Sequence, residues 1–123
     1  QLPHVVGLAE RQVRDIGLWD KCIGVYPVGL PVLELRKPCS FDVIHETVIE
    51  AVLDGADSVC FGCMALNDHA VALQSKLDEE YPGVLVIHPG KAVIRLAELI
   101  VGMNLSHSKL SYPFPPKDVS FPF

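Results

Sequence analysis

The sequence has 123 residues, with 15 acidic and 10 basic side chains, a net charge of −5 and 50% hydrophobic residues. A chain of this length can form a single core without a disulfide or metal staple, and its apolar fraction excludes a disordered protein. The negative charge argues against a nucleic-acid or anionic-membrane partner, because both favour a basic surface. The apolar stretch 92–103 is interrupted by Arg95 and Glu98 and is too short to span a bilayer, so no membrane segment is expected.

Short β-type runs alternate with helical patterns along the chain, which is typical of an α/β protein built on a parallel sheet. We predict strands at 4–7, 22–28, 58–61 and 84–87. We predict helices at 8–16, from Ser40 to Asp54, from Asn67 or Asp68 to about Tyr81, and after His88-Pro89-Gly90.

The last predicted helix is apolar on more than one side, because only Lys91, Arg95 and Glu98 interrupt it with a narrow polar stripe. It therefore requires burial against another surface. The segment 111–123 is rich in proline and aromatic residues, so we predict an extended arm there and a single α/β lobe over 1–110.

Four cysteines are too few for a disulfide scaffold, which favours reduced thiols and a cytoplasmic location. Cys60 and Cys63 form a C-x-x-C pair, but Cys60 lies within an apolar strand and is expected in the core, which argues against a redox pair. No other Cys or His has the paired spacing of a zinc site, so no metal site is predicted. His45 and His69 are expected on solvated helix surfaces.

Two predicted strand ends carry reactive side chains, at Cys63 and at His88. In open parallel sheets, ligands bind at the carboxyl ends of the strands, next to the helices that follow. A thiolate in the first turn of a helix is stabilised by the helix dipole and by backbone N–H groups. The residues alone leave two structural alternatives open, a core thiol at Cys63 and a hydrogen-bonded structural histidine at His88.

The residues around Cys63 favour binding of an oxygen atom. Gly62 would allow a ligand to approach the backbone closely. The amides of Met64 and Ala65 could hold a carboxylate or a developing enolate oxygen.

Several motifs together carry a family resemblance. The segments Gly55–Cys63, Val86–Ala92, Leu96–Glu98 and Gly102–Lys109 resemble the carboxyl half of the aspartate/glutamate/hydantoin racemase superfamily. Within it, the hydantoin and allantoin racemases are most similar, and Gly29–Leu35 is similar to a stretch that precedes their second cysteine. The resemblance extends, with gaps, from about Gly17 to Pro116.

The resemblance implies a flavodoxin-like lobe, in which helices flank a parallel sheet in three layers. It also implies a cofactor-independent isomerase in which two lobes each present a cysteine to a small hydantoin-like or amino-acid-derived substrate. One thiolate removes the proton next to a carbonyl, and the opposite thiol returns a proton to the other face. Cys63 matches the second of these cysteines, and the resemblance suggests that Gly62, Met64 and Ala65 form its oxygen-binding turn, although Met64 and Ala65 stand where the hydantoin racemases usually have small residues. His88 stands at a substrate-binding position where many relatives have an acidic residue.

No part of the chain resembles the amino-terminal lobe of these proteins, so the expected partner is either a second copy of the chain or a missing lobe with the second cysteine. Two alternatives remain open. The first is a non-catalytic binding or oligomerisation module derived from this lobe. The second is decarboxylase or cis-trans isomerase chemistry, as in other members of the superfamily.

Overall fold

A computed structural model describes residues 5–116, which form two compact units divided between Ala92 and Val93. The α-helices are α1 (Val6–Asp15), α2 (Val32–Leu35), α3 (Phe41–Leu53), α4 (Ala70–Glu80) and α5 (Pro89–Gly102). The strands are β1 (Ser58–Cys60) and β2 (Leu85–Ile87), and 3₁₀-helices lie at Trp19–Lys21, Pro38–Ser40 and Met64–His69.

The strands β1 and β2 pair in parallel, with Ser58 opposite Leu85 and Cys60 opposite Ile87. The helix α4 connects them as the crossover that parallel strands require. Two of the predicted strands are therefore present, and the mixed helix and parallel-sheet content is that of an α/β fold.

The amino-terminal part differs from the sequence prediction. Residues 6 and 7 belong to α1 rather than to the strand predicted at 4–7, because the helical spacing of apolar residues extends back to Val6; His4 lies outside the described residues. Residues 22–28 are extended but pair with no strand of the described chain. The described sheet has two strands, and the three-layer arrangement is not confirmed.

The core of the first unit lies between α3, the 3₁₀-helix Met64–His69 and α4. Its fully buried side chains are Leu35, Ile44, Leu73 and Leu77. Val59 and Val86, the central residues of the two strands, pack against this core, whereas their neighbours Cys60, Leu85 and Ile87 are exposed. Since side chains alternate along a strand, only one face of the sheet is covered.

The second unit contains most of α5, whose apolar side chains are exposed on several sides. Val93 is 65%, Leu96 56% and Val101 72% exposed. Residues 113–116 of the predicted arm have no regular structure, residues 117–123 lie outside the described part, and the boundary at 110 remains a prediction. None of the helices between residues 5 and 116 has the length and apolarity needed to span a membrane.

Candidate functional site

Cys63 lies just beyond the carboxyl end of β1, where the chain enters the 3₁₀-helix Met64–His69. Its backbone is still extended, with φ −142° and ψ 131°, so it is the N-cap residue of that helix. Its side chain is half-buried and packs against the core. The helix predicted to start at Asn67 or Asp68 therefore starts earlier, as a 3₁₀-helix that continues into α4 at Ala70.

The turn after Cys63 orients backbone amides at the sheet edge. The first hydrogen bond of the 3₁₀-helix runs from the Leu66 amide to the Cys63 carbonyl oxygen, at 3.1 Å. The amides of Met64 and Ala65 precede that bond, so the helix itself supplies no acceptor for them. Gly62 is exposed and the Ala65 side chain packs against the core, which leaves the backbone as the polar part of this turn.

His88 follows β2 directly and is half-buried. Its Nδ1 accepts a hydrogen bond from the Lys91 amide at 3.1 Å, which caps the first turn of α5. Because Nδ1 is the acceptor, the proton of the neutral ring is on Nε2, which can donate to a ligand. His88 therefore makes a structural hydrogen bond through Nδ1, as one of the two sequence-based alternatives expects. Its Nε2 is the ring nitrogen that could contact a ligand.

Gly90 lies where the segments that follow β1 and β2 approach each other. A Cβ atom on residue 90 would lie 2.9 Å from Asn67 Nδ2, 2.9 Å from Met64 Cε and 3.2 Å from His88 Cε1. These side chains fill the space that a larger residue would occupy, so the absence of a side chain at Gly90 leaves room for them. Two of the predicted site residues, Met64 and His88, are thus close neighbours across the sheet edge.

Asn67, for which the sequence predicts only a helix cap, lies beside Met64 and Gly90 in the structure. Its Nδ2 donates to Met64 Sδ at 3.3 Å. In a 3₁₀-helix, residues three apart lie directly above one another, and this spacing relates Met64 to Asn67. The three-residue spacing of Met64 and Asn67 is visible in the sequence, but it predicts this contact only if the segment is taken to be a 3₁₀-helix.

Cys60 was predicted to be a core residue, and this is wrong. It is exposed because it lies on the uncovered face of β1. It lines a groove of about 700 Å³ together with α3 and the extended segment that follows Trp19–Lys21; other lining residues include Cys22, Ile23, Tyr26, Val48 and Leu66.

The prediction that His45 and His69 are solvated is also wrong. His69 is 7% exposed, and its Nε2 lies 2.6 Å from the Leu35 carbonyl oxygen and 3.2 Å from Ser40 Oγ. A carbonyl oxygen only accepts hydrogen bonds, so Nε2 carries the proton and cannot act as a base toward the Ser40 hydroxyl. This pair joins the 3₁₀-helices Pro38–Ser40 and Met64–His69 and is not a nucleophilic dyad.

His45 connects α3 to α4. Its Nε2 lies 2.8 Å from a Glu80 carboxylate oxygen, and its side chain is 13% exposed. Among residues 5–116, no group of three or more His, Cys, Asp or Glu side chains is arranged to hold a metal ion.

A comparison with known proteins supports a distant relation to racemases. The chain is 30% identical to a hydantoin racemase from Paenarthrobacter aurescens over 118 residues, which cover 93% of this chain and 48% of the relative. The chain thus spans about half the length of the relative that it matches. No protein-family model and no solved structure matches the sequence.

Proposed function

We propose that this chain is a racemase lobe that uses Cys63 as one of two acid/base groups. The substrate class is a small hydantoin-like or amino-acid-derived molecule with an acidic C–H next to a carbonyl. The observation that carries the proposal is the position of Cys63 at the carboxyl edge of the sheet in a chain similar to a hydantoin racemase. The three-layer, flavodoxin-like arrangement belongs to the same proposal, since the exposed face of β1 and β2 needs a further layer.

The proposed reaction is a proton transfer at one carbon atom. The Cys63 thiolate takes the proton, and the electron pair of the C–H bond moves onto the carbonyl to give an enolate. The amides of Met64 and Ala65 would stabilise the enolate oxygen, with Gly62 allowing its approach. Return of the proton to the opposite face inverts the centre, so a second acid is required there.

The second acid is proposed to come from the half of the racemase architecture that this chain does not match. With Cys63 alone, a proton can be removed and returned only on one face. The chain by itself would then exchange the α-proton with solvent faster than it inverts the centre.

The experiment is α-proton exchange in heavy water with a single enantiomer of a 5-substituted hydantoin, followed by NMR, with optical rotation measured in parallel. Wild-type protein should incorporate deuterium, and Cys63→Ser should lose roughly 10²-fold or more of that rate. Cys60→Ser is the matched control, since Cys60 lies three residues away on the exposed face of β1, and it should retain the rate. Equal rates in wild type and Cys63→Ser would remove Cys63 from the mechanism.

A second candidate function, a binding or oligomerisation module, is favoured by the exposed apolar side chains of α5. It predicts a stable oligomer that Leu96→Glu dissociates, with Cys63 labelled by iodoacetamide no faster than the exposed Cys39. The racemase proposal predicts preferential labelling of Cys63. Light scattering and mass-resolved labelling of the same samples distinguish the two.

A further inference from the structure

The side chain of Asn67 contains a buried oxygen that the racemase proposal does not use. Its Oδ1 has less than 1 Å² of accessible surface and no hydrogen-bond partner among the described residues. A buried carbonyl oxygen without a partner costs about 1–3 kcal/mol, and most buried polar groups in native proteins are therefore paired. Such an atom requires an explanation, and a ligand contact is one.

The orientation of this amide follows from its neighbours. Nδ2 donates to Met64 Sδ at 3.3 Å. It also lies 2.9 Å from the position that a Cβ atom of residue 90 would take. Since the thioether is only a weak acceptor, the alternative amide orientation would place an oxygen against sulfur and gain no bond. The contacts on the nitrogen side thus leave the oxygen as the group that needs a partner.

The location connects this oxygen to the proposed reaction. Met64 directly follows Cys63, and His88, at the end of β2, has its Cε1 atom 3.2 Å from the position that a Cβ atom of residue 90 would take. The Met64 side chain, which packs on the nitrogen of the Asn67 amide, is 62% exposed and unbranched. It can rotate away at little cost, and the amide can then turn to present its oxygen to a ligand.

We propose that Asn67 is a specificity residue whose Oδ1 accepts a hydrogen bond from an N–H group of the substrate. A carbonyl oxygen can only accept, so the ligand must present a donor there. Hydantoins carry two ring N–H groups, of which N1–H is next to the reacting carbon and N3–H lies between the two carbonyls. An acceptor at Asn67 would therefore select ureide or amide substrates over simple carboxylic acids. This inference rests on the proposed function, and it concerns binding rather than proton transfer.

The test is a comparison of ligand affinities by titration calorimetry with the full chain. The ligands are 5-methylhydantoin and its N1-methyl and N3-methyl derivatives. Wild type should bind 5-methylhydantoin at least tenfold more tightly than one of the two N-methylated derivatives. Asn67→Leu should lose about tenfold in affinity for 5-methylhydantoin and should no longer distinguish it from that derivative.

Two further variants make the result interpretable. Asp68→Leu introduces the same side chain at the adjacent, exposed position and should keep wild-type affinities and selectivity. Asn67→Asp retains an acceptor oxygen and should keep the preference for N–H, which preserves the test if Asn67→Leu does not fold.

The inference is overturned if Asn67→Leu keeps the wild-type preference for N–H, or if wild type binds none of the three ligands. Failure of the proposed function looks different. In that case wild type would bind with Asn67-dependent selectivity and yet show no Cys63-dependent α-proton exchange.

Discussion

The hydroxyl group of Tyr26 donates a 2.7 Å hydrogen bond to a carboxylate oxygen of Asp54, at the carboxyl end of α3. This bond ties the extended, unpaired segment 22–28 to the helix beside it. The hydrogen bond to Asp54, with smaller contributions from burial and from the nearby negative charges, raises the pKa of Tyr26 to about 12.

This relationship predicts a pH dependence of stability. Because the pKa in the folded protein lies above the ordinary value of 10.0, the neutral phenol stabilises the fold below pH 10, and this contribution disappears as the pH rises toward 12. Tyr26→Phe should lower the free energy of unfolding at neutral pH by only about 0.5 kcal/mol, since the bond is exposed to solvent.

The measurement is urea unfolding of both proteins at several pH values. The difference in the free energy of unfolding between wild type and Tyr26→Phe should be constant up to pH 10 and become smaller above it. Tyr81 and Tyr112 remain in both proteins and provide the background for a parallel absorbance titration. A difference that persists at pH 12 would contradict the assigned bond.

The sequence predicted the elements whose signals are local. The strands around Val59 and Val86 and the helix α3 were recognised from short apolar runs, helical spacing and the turn at Asp54-Gly55. The segment 22–28 has the same local character, but whether it joins a sheet depends on pairing with distant residues, which the pattern does not determine.

The candidate site shows the same division. Cys63 and His88 are predicted as site residues because ligands bind at the strand ends of a parallel sheet, and the structure places them after β1 and β2. The contact of Met64 with Asn67 and Gly90 is not predicted, since it depends on the helix type and on how two turns pack together. The burial of His69 likewise depends on Leu35, which is 34 residues away in the sequence.

A second prediction compares two histidines. His69→Ala removes a buried side chain and its 2.6 Å bond to the Leu35 carbonyl, and should destabilise the protein by about 2–3 kcal/mol. His45→Ala removes a partly exposed pair with Glu80 and should cost about 1 kcal/mol or less. Equal midpoints for the two variants in denaturant unfolding would contradict the buried role of His69.

A third prediction concerns the end of α3. Gly55 has φ +104°, its amide donates to the Val52 carbonyl, and the next amide, of Ala56, donates to the Ala51 carbonyl. This is a Schellman motif, which requires the left-handed conformation, so Gly55→Ala should destabilise by about 1 kcal/mol. Gly7→Ala, in α1 with open space around the Cα, should instead be neutral or stabilise by up to about 1 kcal/mol. The midpoint of thermal unfolding should therefore fall for Gly55→Ala, and it should stay the same or rise for Gly7→Ala.

The fourth prediction separates stability from function at Gly90. A methyl group at residue 90 would overlap Met64 Cε and Asn67 Nδ2, both of which are the ends of flexible side chains that can move. Displacement of these side chains costs roughly 1 kcal/mol, and alanine recovers part of it through its higher helix propensity. Gly90→Ala should therefore fold with nearly wild-type stability.

The effect on the site should be larger than the effect on the fold. Movement of Met64 and Asn67 by about 1 Å is enough to lower α-proton exchange by about 10-fold to 100-fold if these residues position the substrate. Gly102→Ala, at the other end of α5 with open space around its Cα, should leave exchange and stability unchanged. Wild-type exchange in a folded Gly90→Ala protein would show that the contact across the two strand ends has no part in substrate binding.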